Sequence, residues 1–457
     1  MAALMNDVLN NDHLKRLPED VTVPGGRPER GGVLHFGAGA FHRAHQAVYT
    51  DDTDWGITVA APRSREVIDA LAAQDGLYSV ATLGPGGSRY RVIGSIVDTL
   101  HVATETERAL DLIASAQTHV ITLTVTEKAY TDPAGIPGLL AAGIARRAEQ
   151  GGPPLTILCC DNLPDNGKTT RGAVEPLLSG AARTWADGHV TFPSSMVDRI
   201  VPASTPATYD RAFEHLGVVD AAAVEAEPFT QWVIEDDFAG PRPAWGATFT
   251  VDVAGWERLK LRTLNGVHST LAYLGALADI ETIAGTLAMP GARNFAERLI
   301  AEQIAPSFTA PDGQDPLRYG DDVLERFANP GIRHRCLQVA MDGSQKLPQR
   351  LFATIADLAA ADIPRELIAL PLAAWTRFCA GTSDSGAALP LDDPLSDVLR
   401  QSLAAAGGGP AARIDAILGV RHVVPESVAD DHELRLAATK WLLDLDRHGV
   451  APTLESI

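Results

Sequence analysis

Short apolar runs alternate with amphipathic stretches across the first half of the chain. Runs at 33–36, 57–60, 120–125, 155–160 and 189–192 are rich in β-branched and aliphatic residues. The stretches between them carry Ala, Leu, Arg and Glu at helical spacing. Strands of this length separated by helices predict βαβ units and a mostly parallel sheet. The pattern predicts an α/β, doubly wound domain here. Residues 78–92 and 94–102 read instead as antiparallel excursion strands. Beyond about residue 255 helical periodicity takes over, at 290–304, 349–360, 364–380 and 431–448. In the last of these Leu434, Ala438, Trp441, Leu442 and Leu445 fall on one stripe. Pro and Gly in FAGPRPAWGA (238–247) suggest a domain connection. The expected division is residues 1–250, an α/β domain, and 251–457, a mainly α-helical domain. AAAGGGPAA (404–412) reads as a surface loop.

Composition narrows the function classes. At 457 residues the chain exceeds one ordinary core. Apolar residues at 46% and charged residues at 21% describe a folded globular protein. A net charge of −20 opposes nucleic-acid binding, which needs Lys and Arg to neutralise phosphates. Any anionic ligand must therefore meet locally placed cations or backbone N–H groups. Cys159, Cys160, Cys336 and Cys379 have no zinc-type spacing and suit a reducing cytoplasm. The amino terminus mixes charges into its apolar residues, unlike a signal peptide. No apolar run is long enough to cross a bilayer. The expectation is a cytoplasmic monomer or small homo-oligomer acting on a small molecule.

Two segments carry candidate chemistry. The strand ending in HF runs into Gly37-Ala38-Gly39-Ala40-Phe41-His42-Arg43. A strand, a glycine turn and a helix start form the setting in which backbone N–H groups hold a pyrophosphate. Gly37 permits the turn, Gly39 lets the backbone approach phosphates, and Arg43 offers a charge. The third glycine of the dinucleotide fingerprint is replaced by His42, so the motif alone equally fits any strand–helix turn. At the second strand end, APRS offers Arg63 and Ser64 but no acid for a ribose. NAD and NADP both remain open there. His42 and His45 lack the acidic or cysteine partners of a metal site.

The second segment is WERLKLRTLNGVH (256–268). On an α-helix Lys260, Asn265 and His268 would lie at about 0°, 140° and 80°, within less than half the circumference. Oxidising an alcohol needs a base, a donor for the developing alkoxide and a hydride acceptor. A lysine, an asparagine and a histidine fit the first two needs, although they equally fit a solvated face. Glu257, three residues before Lys260, would raise a nearby lysine's pKa, contrary to what a base requires.

Ordered matches along nearly the whole chain decide between these readings. HFGAGAFHRAHQA (35–47), TVTEKAY (124–130), CDNLPDNG (160–167), MVDRIVP (196–202), QWVIEDDF (231–238), KLRTLNGVH (260–268) and DGSQKLPQR (342–350) resemble the polyol-specific long-chain dehydrogenases. That is the family of mannitol 2-dehydrogenase and D-mannonate oxidoreductase (fructuronate reductase). Its Lys, four residues, Asn, two residues, His signature falls on Lys260, Asn265 and His268. The resemblance implies a Rossmann-type amino-terminal domain, a helical carboxy-terminal domain and metal-independent hydride transfer with NAD. Lys260 would be the acid/base. Asn265 would stabilise the alkoxide with a second asparagine, assigned to Asn162, with Asn166 the alternative because loop lengths differ. His268 would position substrate, with Asp198 nearby, and Glu257 would exchange protons with solvent. AAPRS lacks the acids with which some members select NAD, and 51–55 is short, as if a loop were trimmed. The TEK form of TVTEKAY resembles mannonate-type members. There Lys128 would pair with a substrate carboxylate, and Lys346 is a second contact candidate. The competing class is a catalytically silent nucleotide-binding scaffold on the same fold.

Overall fold

Strand β2 (Gly56–Ala61, GITVAA) is buried at every position, as a strand covered on both faces must be. It lies in a six-stranded sheet with β1 (Gly31–Phe36), β5 (Ile96–His101), β6 (Val120–Leu123), β7 (Leu155–Cys159) and β8 (Val190–Thr191). The order is β5-β2-β1-β6-β7-β8 and every pairing is parallel. Successive side chains feed opposite layers. Val33, Ile57, Val59 and Val120 enter one core, while Leu34, Phe36, Ala60 and Ile121 enter the other. Each buried Val, Leu, Ile or Phe among them contributes roughly 1.5–3 kcal/mol. The computed structural model describes residues 7–29 and 31–457.

The excursion expected at 78–102 is only half present. β3 (Tyr78–Gly84) and β4 (Gly87–Ile93) form an antiparallel hairpin, joined by β10 (Val224–Ala226). The segment 94–102 is not antiparallel. It holds β5, the parallel edge strand beside β2. A third sheet joins β12 (Thr248–Thr250), β11 (Gln231–Glu235) and β9 (Ser195–Asp198). The run 189–192 is strand only at β8, because His189 ends the helix Gly180–His189.

Two compact units meet in the chain at Ala254 and Gly255. The Pro- and Gly-bearing stretch 238–247 is no loose connection. Trp245 is buried in the first unit's core against Trp232, and its Nε1 donates to Thr50 Oγ1 at 3.0 Å.

The second unit is helical around Gly266–Leu277, a helix buried at all its residues. Ala369–Ala380 packs on it and, in turn, on His432–His448. Asp431 caps that last helix by accepting from Leu434 N, and the five-residue stripe of 431–448 is buried. The helix expected at 364–380 begins only at Ala369. The loop expected at 404–412 shrinks to 406–409, between the helices Ser396–Ala405 and Pro410–Leu418. Among the described residues no helix is long and apolar enough to cross a membrane.

Lys260–Asn265 is not α-helical. It is a π-turn, with i→i+5 hydrogen bonding, between the α-helices Val253–Leu259 and Gly266–Leu277. Two further π-turns, Ile300–Ile304 and Pro348–Phe352, pack against it. π-Turns are rare and concentrate at functional sites.

Candidate functional site

At the carboxyl ends of the parallel strands the first unit has a cavity of about 610 Å³, bordered by Gly37, Gly39, Arg63, Ser64, Val102 and Thr124. The sheet order reverses between β1 and β6, and that crevice is where open α/β sheets bind ligands. Gly37 has φ +116°, and a Cβ there would lie 2.1 Å from the Thr124 carbonyl oxygen. No side chain fits. A Cβ on Gly39 would meet nothing within 4 Å, so its backbone is open to a ligand. The helix after it, Ala40–Ala44, is short and breaks at His45. A phosphate bound there would meet local N–H groups and the glycine turn more than a helix dipole. No acid stands at the end of β2, where Arg63 and Ser64 are exposed beside Ala61 and Pro62.

Arg43 does not serve this cavity. It is buried, and its guanidinium donates to the carbonyls of Ala38 and Ala222 while Tyr78 Oη donates to the Arg43 carbonyl. It ties the strand–helix turn to the chain around residue 222. Phe41 likewise turns away and stacks on His45 at 5.0 Å. His42 stacks on His35 at 3.4 Å, and burial pushes both imidazoles well down, His35 to about 3. His45 Nε2 meets the Gln231 carbonyl at 2.9 Å. Among the described residues no cluster of three or more His, Cys, Asp or Glu could hold a metal.

Asn166 is a structural tie. Its Nδ2 donates to the carbonyls of Asp161 (3.0 Å) and Ser195 (2.7 Å), and its Oδ1 accepts from Ser195 N (2.9 Å). Fully buried, the amide has no capacity left for an alkoxide. Asn162, by contrast, is exposed.

Sequence reasoning passed over Asp161. Its carboxylate accepts from Val125 N and Thr126 N at 3.0 Å, and from Tyr130 Oη at 2.6 Å. Burial raises its pKa, and those donors oppose the shift. Thr126 has φ +75°, so the carboxylate clamps a strained loop to the residue before Asn162. Lys128 is exposed on the 3-10 turn that follows, Glu127–Thr131. Asp198 is buried at the end of β9.

In the second unit Lys260 is only 6% exposed. The i→i+5 bonding brings Asn265 about one turn above Lys260, closer to one face than α-geometry allows. Glu257, half-buried, stands one α-turn before Lys260. His268 is buried, stacks on Phe327 at 4.8 Å and tilts against His334 at 4.6 Å. Its Nε2 is enclosed without a hydrogen-bond partner. Burial, then His334, Arg350, Lys346 and Arg326, hold its pKa well below the usual histidine range, so it is neutral. Lys346 donates to the Met341 carbonyl at 2.6 Å, and its pKa is lowered by burial and then by Arg350. One stretch thus presents an amine, a primary amide and a neutral imidazole, a set able to accept a proton and hydrogen-bond an oxyanion.

The mannitol dehydrogenase Rossmann domain matches residues 31–247, and the mannitol dehydrogenase C-terminal domain matches 252–439. The D-mannonate oxidoreductase of Escherichia coli (strain K12) is 37% identical over 91% of this chain and 93% of that protein. The mannitol 2-dehydrogenase of Cereibacter sphaeroides is also 37% identical, over 79% of this chain and 84% of its own. The solved structure of Pseudomonas fluorescens mannitol 2-dehydrogenase, a ternary complex with NAD and D-mannitol, is similar with a TM-score of 0.86 at 31% identity. It covers 98% of this chain and 99% of that one. The chain belongs to the mannitol dehydrogenase family, with that family's Rossmann and C-terminal domains in sequence.

Proposed function

We propose that this protein is an oxidoreductase that moves hydride reversibly between NAD(H) and a secondary alcohol of a polyol or aldonate. D-Mannonate/D-fructuronate and mannitol/fructose are the candidate pairs. The observation that carries the proposal is the grouping of Lys260, Asn265 and His268 on a π-turn and the buried helix it enters. The nicotinamide cofactor, when bound, supplies the hydride acceptor. Gly37, Gly39, Arg63 and Ser64 fit its binding at the 610 Å³ cavity.

In the oxidation direction Lys260 takes the hydroxyl proton as hydride leaves the carbon, giving the ketone. Asn265 and Asn162 hydrogen-bond the oxygen while it is negative, without adding charge. Neutral His268 orients a neighbouring hydroxyl, and Glu257 passes the proton on to solvent. Asp198 and Lys346 are assigned to substrate contacts. Because the proton has a protein acceptor, turnover is expected to survive EDTA. NAD is favoured, with Arg63 and Ser64 placed to accept a 2′-phosphate if NADP also serves. The buried free cysteines suit a reducing cytoplasm.

The test is a panel of D-fructuronate and D-fructose against NADH and NADPH, read by absorbance. Inactivity with both sugars would sink the assignment. NADH binding without turnover across a wider polyol and uronate panel would favour a silent nucleotide-binding protein.

A further inference from the structure

The second unit holds a half-buried cation that no acid answers. Arg350 lies in the π-turn Pro348–Phe352, which packs on the π-turn Lys260–Asn265. The approach is close: a Cβ on Gly266 would lie 3.0 Å from the Arg350 carbonyl oxygen. The guanidinium donates from Nη1 to Ser269 Oγ at 3.0 Å. Among the described residues it makes no ion pair, and burial lowers its pKa to about 10 with only Tyr273 opposing. Arg262, on the neighbouring turn, shows the contrast. It is held by Ser307 and by Asp357 at 2.5 Å. A half-buried charge left without a counter-ion carries part of a desolvation cost, and an anionic ligand offsets it.

The surroundings point to the same ligand class. Ser269 directly follows His268, so Arg350 is anchored to the helix that carries the candidate site. Lys346 is four residues before it, and Arg350, Lys346 and Arg326 all act on His268. In a chain of net charge −20 this grouping of cations is local, and although Lys346 has Asp342 at 3.9 Å, Arg350 has no such partner among the described residues. A guanidinium with one nitrogen fixed by Ser269 keeps the rest of its planar fork for a carboxylate, which Lys128, exposed on its loop, cannot match.

We propose that Arg350, assisted by Lys346, binds the carboxylate of a sugar-acid substrate and so selects an aldonate over a neutral polyol. This rests on the dehydrogenase reading above. The experiment compares the full-length protein with R350Q, R350K and K128A. It reads kcat/KM with NADH for D-fructuronate and D-fructose, and Kd for D-mannonate and mannitol by calorimetry in the presence of NADH, where neither turns over. R350Q should lower kcat/KM for fructuronate by about 10- to 100-fold more than for fructose. It should weaken mannonate binding by a similar factor, with R350K recovering part of each. If R350Q does not fold, R350K carries the test and should still reduce the preference several-fold, since a point charge replaces the fork. Equal losses on both sugars, selective loss in K128A instead, or a wild type that reduces only fructose would overturn the proposal. If the wild type reduces neither sugar, the dehydrogenase reading fails and binding decides. Mannonate affinity that depends on Arg350 then supports the carboxylate site, and absent or unchanged affinity overturns it.

Discussion

Asn166 and Asn162 lie four residues apart, and replacing each with alanine should give opposite phenotypes. Asn166→Ala removes two donated hydrogen bonds and one accepted bond at the junction between Asp161 and β9, the two to Ser195 buried and the one to Asp161 part-buried. A buried hydrogen bond is worth about 1 kcal/mol net, and leaving its partner unsatisfied costs about 1–3 kcal/mol. Because the lost bonds share one cavity, a total of about 3 kcal/mol is expected rather than a full sum. For a domain of roughly this size each 1 kcal/mol moves Tm by about 2–4 °C. Calorimetry should therefore show a fall of about 6–12 °C, with kcat of the surviving folded protein reduced little. Asn162→Ala should leave Tm within about 2 °C and lower kcat by about 10²–10³, as expected for one oxyanion donor. An Asn166→Ala protein as stable as wild type but slow in turnover would refute the reasoning, because its amide would then be a catalytic donor and not a tie.

Lys260→Ala should reduce turnover by about 10²–10⁴, the usual contribution of acid/base catalysis, while NADH affinity by fluorescence titration stays largely intact; activity within tenfold of wild type would exclude Lys260 as the base. Gly37→Ala places a methyl group against the Thr124 carbonyl at φ +116° and should cost about 2 kcal/mol or more with weakened NADH binding, measured by denaturant unfolding and titration. Acid should destabilise the protein early. His35 and His334 have folded pKa values of about 3 and about 4, below the unfolded value of about 6.5. Their stabilising effect is complete above pH 6.5 and is lost as pH falls toward those values. By pH 5 each gives up roughly 2 kcal/mol, and His42 and His268 add loss of the same sign. A Tm that stays flat from pH 7 to pH 5 would contradict this.

Much of the fold was legible because burial on two faces leaves a local signature. GITVAA reads as a central strand from its unbroken apolar run, and the stripe of 431–448 reads as a docked helix from its period. The failures trace to long-range partners. IVDTLH alternates enough to suit a hairpin, and only its pairing with β2 makes it a parallel edge. Arg43 follows the glycine turn as a phosphate ligand would, yet its carbonyl partner Ala222 is far away in sequence. CDNLPDNG favours Asn162 only through the family resemblance and leaves Asn166 open, whereas the bonds of Asn166 to Ser195 give it a structural role. The Lys-Asn-His spacing was visible as a motif, but its geometry was misjudged, because periodicity over so few residues does not separate i→i+4 from i→i+5 bonding. Arg350 gave no signal beyond a basic residue ending a motif. Its lack of a counter-ion exists only in the folded chain.

The π-turn at Lys260–Asn265 makes the chain's length there as consequential as its composition. Removing one residue between Lys260 and Asn265 would let the backbone relax into an ordinary α-helix, a locally easier conformation. The asparagine, now four residues after the lysine, would still stand about one turn above it, because i→i+4 in an α-helix and i→i+5 in a π-turn reach nearly the same face. What would be lost is the widened backbone itself, which packs against the π-turns Ile300–Ile304 and Pro348–Phe352. Homologues in this segment should therefore drift by substitution and resist insertion or deletion. A gap opened there in an alignment is a sign that the widened turn has been lost.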